Sequence, residues 1–314
     1  MLRITCFFVV ALLNIDPSYA SQKVQPSNLE NSPMQLAVHD GVRLAYRTYG
    51  SSEGPALVVL NGVGSATRFD EDALTHALVE EGFHVIRMDN RDSGLSSTIN
   101  PSESLRDEQP AYRLEDMTSD VNTVLQSAQI PSAHIMGISL GGMIGQVFAS
   151  KYPDKTLSLI SVSSTTGKSG LKLGPAMTYL QEPPAPTREL RVRQFIKLYQ
   201  HFAGKRYPMT QQEMEHRARA DLSNDDPLAA ARQGMAAGVS GDRTPLLSAL
   251  TLPTLVIHGS ADEMFPLPHG QATADAIPGA ELVGIDGMGH AISDAAAQSV
   301  AQAVSSFIRP LTSQ

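Results

Sequence analysis

Cysteine is almost missing from this 314-residue chain, and tryptophan is missing altogether. The one cysteine, Cys6, lies close to the N-terminus, so beyond it no disulfide, thiol nucleophile or cysteine-based metal site can be built. No block of positive charge is present either. Lys and Arg number 24 against 32 Asp and Glu, a formal net charge of −8 spread along the sequence. Nucleic-acid binding wants a basic face, which excludes that class of partner. The N-terminal apolar run, "ITCFFVVALL" at 4–13, is ten residues long, whereas a bilayer span needs about twenty.

That run belongs to a recognisable pattern. Met1-Leu2-Arg3 is a short basic start, and Ser18-Tyr19-Ala20 supplies the small-x-small sequence of a signal-peptidase site. Residues 1–20 are therefore expected to be a cleaved secretory signal, giving a secreted or periplasmic protein with no stable membrane insertion after cleavage. The alternative is an uncleaved N-terminal anchor. A mature chain without cysteine fits an oxidising compartment. Residues 21–34, polar and proline-bearing, read as a linker.

From residue 35 onward the pattern changes. The stretch 35–46 reads as a hairpin turning at Asp40-Gly41, a pair that accepts positive φ. Short apolar runs at 56–60, 83–88, 133–137, 157–162, 254–258 and 280–285 then alternate with helical patterns at 71–81, 114–128, 140–151 and 295–308. The alternation predicts an α/β fold: a mostly parallel central sheet flanked by helices. One region breaks it. Between 165 and 247 there is no strand pattern, only a stiff "QEPPAP" and helical patterns at 187–203, 210–222 and 226–238. The expected organisation is a core of 35–164 and 248–314 interrupted by a helical cap at 165–247.

Candidate chemistry centres on Gly137-Ile138-Ser139-Leu140-Gly141. A serine between glycines, with a strand leading in and a helix leading out, suits a sharp turn that projects the hydroxyl. The Gly-x-Ser-x-Gly spacing alone is weak: Gly50-Ser51-Ser52-Glu53-Gly54 matches too, but precedes a strand and reads as a polar turn. A serine hydroxyl needs a base, and the base an orienting acid. Of nine histidines, His290 stands out, in a loop between the last strand pattern and the closing helix. His134, at the start of the strand leading to Ser139, is expected at a sheet edge. His258 is expected to pack or bond locally, and His39, His76, His84, His201, His216 and His269 to be solvated. For the acid, Asp262 lies on the loop after the 254–258 strand, and Asp286 competes from four residues before His290. The chain order serine, acid, histidine is the one expected of an α/β hydrolase.

Across residues 35–310 the chain resembles the α/β-hydrolase superfamily, and is similar to small bacterial serine esterases including the anthracycline methylesterases. The matching stretches are "GISLGG" at 137–142, "MDNRDSGLSS" at 88–97, "SVSSTTG" at 161–167, "HGSADEMFP" at 258–266 and "GMGH" at 287–290. The resemblance implies Ser139 as nucleophile, Asp262 as acid and His290 as base. It places the backbone N–H groups of Val63 and Leu140 in an oxyanion hole. Where such hydrolases often carry His-Gly, this chain has Asn61-Gly62. Asp89 and Asp92 of "DNRDSGLS" are expected to bond backbone N–H groups in a structural turn, not to act in catalysis. Serine at 139 argues against the dehalogenase and epoxide-hydrolase branches, which use aspartate there.

The expected function is a serine hydrolase acting on small-molecule carboxylic esters through an acyl-enzyme, with no metal or cofactor required. Proline-type aminopeptidase, lactonase and carbon–carbon bond hydrolase share the same triad. An aminopeptidase would need acidic groups for a substrate amine, for which Glu182 and Glu189 are candidates. A catalytically silent binding protein on the same fold is the reading from a different class.

Overall fold

The computed structural model describes residues 32–69, 72–99 and 110–312. The expected signal at 1–20, with Cys6, and the linker as far as residue 31 lie outside the described residues. Strands β1 (Gln35–His39) and β2 (Val42–Tyr49) form the expected hairpin. Its two turn residues, Asp40 at φ 47° and Gly41 at φ 81°, both adopt positive φ, which a tight two-residue turn between right-twisted strands requires.

The chain then alternates: β3 (Ala56–Leu60), α1 (Ala73–Glu80), β4 (His84–Met88), α2 (Leu114–Ser127), β5 (Ala133–Ile138), α3 (Leu140–Lys151) and β6 (Thr156–Val162). Five helices follow without a strand: α4 (Met177–Leu180), α5 (Arg188–Phe202), α6 (Gln211–Asp221), α7 (Ala229–Val239) and α8 (Thr244–Leu247). The sheet resumes with β7 (Thr254–Gly259), α9 (Pro268–Ala276), β8 (Glu281–Ile285) and the closing helix α10 (Ala297–Thr312). The strands stand side by side as β1-β2-β4-β3-β5-β6-β7-β8. Pairing is antiparallel for β1 with β2 and β2 with β4, and parallel from β4 to β8.

The side-chain alternation of one strand shows how the layers are held. Val58 and Leu60 of β3 join a core with α2 and α3, through Met117, Val121, Ile144 and Phe148. Leu57 and Val59 face the other way, into a core with α1 and α10 that includes Leu78, Val300 and Val304. Both faces are apolar, which is why the parallel strands read as continuous apolar runs. Burying each such side chain contributes about 1.5–3 kcal/mol.

Helix α9 and His134 depart from the sequence-based expectation. Helix α9 had no expected counterpart: it opens on Pro268-His269-Gly270 and buries only His269, Gly270, Thr273 and Ala274, too weak an apolar stripe to read as helix. His134 is not at a sheet edge. It is 2% exposed within β5, which pairs on both sides, and its Nδ1 lies 2.8 Å from Ser158 Oγ. Burial pushes its pKa down to about 4.

Candidate active site

Ser139 sits on the turn between β5 and α3 with φ 54° and ψ −114°. A non-glycine residue in this region is strained, and such strain persists only where the surroundings over-determine it. The glycines explain how the turn closes. A Cβ on Gly137 would stand 2.1 Å from Gly141 O, and one on Gly141 would stand 2.3 Å from Leu60 O. Neither neighbour is a side chain that could swing away, so both positions exclude any side chain. The turn is fixed further by Ser164 Oγ, which donates to Ser139 O at 2.7 Å.

His290 and Asp262 complete a line of contacts. His290 Nε2 is 3.0 Å from Ser139 Oγ, and His290 Nδ1 is 2.9 Å from Asp262 Oδ2. With Nδ1–H donating to the carboxylate, Nε2 is left free to accept from the serine hydroxyl. The other oxygen of Asp262 accepts the backbone N–H groups of Met264 (2.8 Å) and Phe265 (2.9 Å). Burial pushes the Asp262 carboxyl upward, but His290 and the hydrogen bonds from His258 and His290 outweigh it. The group is held well below the usual carboxylate range. Phe202 and Phe265 flank the His290 ring, at centroid distances of 4.8 Å and 5.5 Å. Asp286 is elsewhere: its Oδ2 pairs with Arg206 Nη1 at 3.0 Å and its Oδ1 accepts from Ser260 Oγ at 3.2 Å.

The loop after β3 runs past the serine, since a Cβ built on Gly62 would lie 3.4 Å from Ser139 Cβ. Its shape is set by three bonds. Gln233 Oε1 of α7 accepts from Gly64 N (2.7 Å), Asn90 Nδ2 donates to Asn61 O (3.1 Å), and Asn61 Nδ2 donates to Thr67 Oγ1 (2.8 Å). Val63 lines the cavity next to Ser139. Leu140 is the first residue of α3, where a helix leaves its N–H without an intrahelical acceptor.

Asp89 and Asp92 do bond backbone N–H groups. Asp89 accepts from Thr67 N (2.6 Å) and Leu95 N (2.8 Å), and Asp92 accepts from Ile99 N (2.8 Å). Burial raises the Asp89 carboxyl to about 6 against those bonds. Asp92 has a second role that sequence reasoning missed. Arg232 of α7 reaches it twice, Nε to Oδ2 at 2.9 Å and Nη2 to Oδ1 at 2.6 Å, and Arg232 Nη2 also meets Asp226 at 2.6 Å. No local signal marks a pair 140 residues apart in sequence.

Ser139 and His290 open onto a cavity of about 90 Å³ that charged side chains also line: Arg68, Asp72, Arg87, Arg217 and Asp221, beside Asn61 and Tyr199. Asp72, the N-cap of α1, is pushed up by burial but pulled to about 2 by Arg87 and Arg68. Asp221 is raised to about 6 by burial, in spite of bonds from Tyr199 OH and Ala66 N. From the helical segment, Tyr199, Phe202, Arg217 and Asp221 reach the cavity. Glu182 and Glu189 do not: they pair with Lys197 (3.5 Å) and Arg219 (3.3 Å). His258 Nε2 lies 2.6 Å from Phe265 O and 3.4 Å from Asp262 Oδ2, a local role as expected. His269 corrects an expectation of solvation. It is 3% exposed, with Nδ1 at 2.8 Å from Thr165 Oγ1 and Nε2 at 3.1 Å from Lys172 O.

Comparison with known proteins bears on the fold and the family. Rhodomycin D methylesterase of Streptomyces peucetius is 27% identical over 310 residues, covering 89% of this chain and 99% of that protein. 3-Oxoadipate enol-lactonase 2 of Acinetobacter baylyi is 29% identical over 239 residues, covering 73% of this chain and 80% of the relative. A crystal structure of a hydrolase from Pseudomonas aeruginosa superposes with a TM-score of 0.68 at 28% identity, covering 91% of this chain and all of that one. Residues 55–296 match the family described by the alpha/beta hydrolase fold, and the chain belongs to that family.

Proposed function

We propose that this α/β hydrolase is an exported serine esterase that cleaves small-molecule carboxylic esters through Ser139, His290 and Asp262. The observation that carries the reading is the line Ser139 Oγ–His290 Nε2–Asp262 Oδ2, with steps of 3.0 Å and 2.9 Å through one imidazole. His290 takes the hydroxyl proton on Nε2 as Oγ bonds to the ester carbonyl carbon. The carbonyl oxygen becomes an oxyanion, held by the N–H groups of Val63 and Leu140; each such donor is worth about 3–4 kcal/mol. When the tetrahedral centre collapses, the carbon–alkoxy bond breaks and His290 returns its proton to the departing alcohol. Water then gives a proton to His290 and attacks the acyl-enzyme, and that proton returns to Ser139 Oγ as the acid leaves. Asp262 remains ionised throughout and stabilises the imidazolium.

The rhodomycin D methylesterase relative supports ester substrates. The enol-lactonase relative favours a second reading, in which the alcohol stays tethered and the same steps open a lactone. In this reading helices between 165 and 247 cap the site, which the cavity-lining Tyr199, Phe202, Arg217 and Asp221 support. Export rests on the basic-apolar-small sequence of 1–20.

The test is labelling by a fluorophosphonate together with hydrolysis of a short nitrophenyl ester. Wild type should label and turn over, and Ser139→Ala should do neither. A folded wild type that neither labels nor hydrolyses any ester overturns the reading. For export, mass spectrometry of protein recovered outside the cytoplasm should find Ser21 at the N-terminus; an intact Met1 on a membrane-bound product overturns cleavage.

A further inference from the structure

Two backbone N–H groups serve the oxyanion in the mechanism above, and they are framed differently. Leu140 N–H belongs to the helix it opens: Gly142 N (3.0 Å) and Met143 N (3.2 Å) both donate to Ser139 O and close the first turn of α3. Val63 has no such frame, for it lies in neither a helix nor a strand. Among the described residues, neither Val63 N nor Leu140 N donates to a protein acceptor. Both are therefore available to a substrate oxygen, and the aim of Val63 depends on what holds its loop.

The hydrolase core secures only the ends of that loop. Asn61 O accepts from Asn90 Nδ2 at 3.1 Å, and Thr67 N donates to Asp89 Oδ1 at 2.6 Å. Between these points the loop makes one backbone bond of its own, Ser65 N to Gly62 O at 3.2 Å. Its middle is held from the helical segment between β6 and β7. Gly64 N donates to Gln233 Oε1 of α7 at 2.7 Å, and Ala66 N donates to Asp221 Oδ1 of α6 at 2.9 Å.

Gln233 has one workable orientation. It is fully buried, and its Nε2 donates to Arg91 O at 2.7 Å and Ser93 Oγ at 2.9 Å. Turning the amide over would set its NH2 against the Gly64 N–H and its oxygen against the Arg91 carbonyl, which leaves buried groups unpaired. Ala230, one turn earlier on α7, closes on the same glycine. A Cβ on Gly64, which adopts φ 69°, would stand 3.1 Å from Ala230 Cβ. Asp221 is fixed as well, since its other oxygen accepts from Tyr199 OH of α5. Helices α5, α6 and α7 thus converge on residues 64–66, directly after Val63.

We propose that Gln233, seconded by Asp221, is a positioning residue for ester hydrolysis: its amide oxygen aims the Val63 N–H at the oxyanion. The helical segment then shapes the oxyanion hole itself, and a shift of α7 spoils the aim. The proposal rests on the esterase reading. Preorganised donors act on charge that develops in the transition state. Misplacing one therefore lowers the rate and leaves ground-state binding nearly unchanged.

Gln233→Met is similar in length but removes the acceptor and both donors. Gln233→Glu keeps an oxygen at Gly64 N and gives up the paired donors to Arg91 and Ser93. Stopped-flow acylation by a short nitrophenyl ester separates the saturating rate from the half-saturating concentration. Gln233→Met should lose about ten- to a hundredfold in rate, less than the roughly 10²–10³ for a donor deleted outright. Its half-saturating concentration should stay within about threefold of wild type. Gln233→Glu should recover most of the rate, and Asp221→Ala, on a different helix, should lower it. Calorimetric titration with butyl trifluoromethyl ketone requires no turnover. Ser139 Oγ adds to the ketone carbon, the hydroxyl proton passes to His290, and the ketone oxygen becomes an oxyanion in the hole. Its affinity should fall in Gln233→Met by the same factor as the acylation rate.

Unchanged rate and ketone affinity in a folded Gln233→Met overturn the proposal and leave the esterase intact. So does a Gln233→Glu as slow as Gln233→Met, which would make the support of Arg91 and Ser93 the whole role. A half-saturating concentration raised as much as the rate is lowered means a distorted pocket and overturns it too. If Gln233→Met does not fold, Asp221→Ala is read by the same measures with the same outcomes. Ketone affinity lowered in Gln233→Met without hydrolysis of any ester upholds the positioning and overturns the esterase. A wild type that neither acylates nor takes up the ketone overturns both.

Discussion

Asp262 Oδ2 stands 2.9 Å from Nδ1 of His290, while Asp286, only four residues before that histidine, is turned away to Arg206 and Ser260. The distant carboxylate reaches the ring from the side opposite Ser139, and the near one is occupied by a guanidinium and a hydroxyl. Replacing Asp262 by Asn should keep the fold but favour the wrong imidazole tautomer. In a protease triad that change lowers kcat about 10⁴-fold, and a loss of that order is expected here. Asp286→Asn should lose at most about tenfold. Steady-state hydrolysis of a nitrophenyl ester by both variants, with circular dichroism to verify folding, decides between them. A folded Asp262→Asn enzyme with near wild-type kcat removes Asp262 from the proposed triad.

The glycines around Ser139 should be as intolerant as the serine itself. A methyl on Gly137 meets backbone atoms of Gly141 and Gly142 within 2.5 Å. Relief therefore requires β5 or the start of α3 to move, and overpacking of this kind costs about 1–3 kcal/mol. Gly137→Ala should lower Tm by about 3–10 °C. It should also lower kcat more than a remote substitution of equal stability cost, because Ser139 moves with the turn. Scanning calorimetry and single-turnover acylation measure the two effects. An unchanged Tm would show that the strand accommodates the methyl and that the glycine is not required.

How much of this was legible in the sequence depended on range. Ser139 could be found because its turn is encoded within five residues, and the strand-end positions of Asp262 and His290 followed from patterns immediately before each. Apolar runs such as 56–60 were readable because a parallel strand buries both faces. What stayed hidden was set by contacts between segments far apart. Nothing near Asp92 announces Arg232, and nothing near His269 announces its burial against Thr165. Nor could the periodicity of 268–276 reveal a helix that buries one histidine and a few small residues.

Arg232 tests whether α7 is anchored or merely adjacent. Its side chain is fully buried, as is that of Asp92, and it bridges Asp92 to Asp226. Removing one member of a buried ion pair leaves an uncompensated charge and costs about 3–5 kcal/mol. Arg232→Leu should therefore shift the urea midpoint strongly. The double variant Arg232→Leu with Asp92→Asn should recover part of the loss, since it no longer buries a lone carboxylate. Gln233, next to Arg232, holds Gly64 N beside Ser139, so the single variant should also lose activity under conditions where it remains folded. A loss of unfolding free energy below about 1 kcal/mol is what a surface ion pair would give, and would mean that α7 is not held by this bridge.

Asp221 gives a pH signature with a definite sign. Its carboxyl is raised from 3.8 to about 6, chiefly by burial. An acid whose folded pKa lies above its unfolded value favours the folded state at low pH. That stability declines as pH rises from about 4 and levels off above about 6, the reverse of the usual carboxylate. Asp72 and Asp262, whose pKa values are depressed, act in a different window: they lose stability only as pH falls below about 4. The two effects therefore do not overlap. Asp221→Asn removes the titration but keeps an acceptor for Tyr199 OH. The static effect of the substitution cancels when its stability relative to wild type is compared at two pH values. That difference should favour the variant by about 1 kcal/mol more at pH 7 than at pH 5, the share of a shift from 3.8 to about 6 that falls between those pH values. Urea denaturation of both proteins at the two pH values measures it. A difference of zero would place the Asp221 pKa at or below its ordinary value, with the carboxylate stabilised by Arg68, Arg217 and its hydrogen bonds at least as much as burial penalises it.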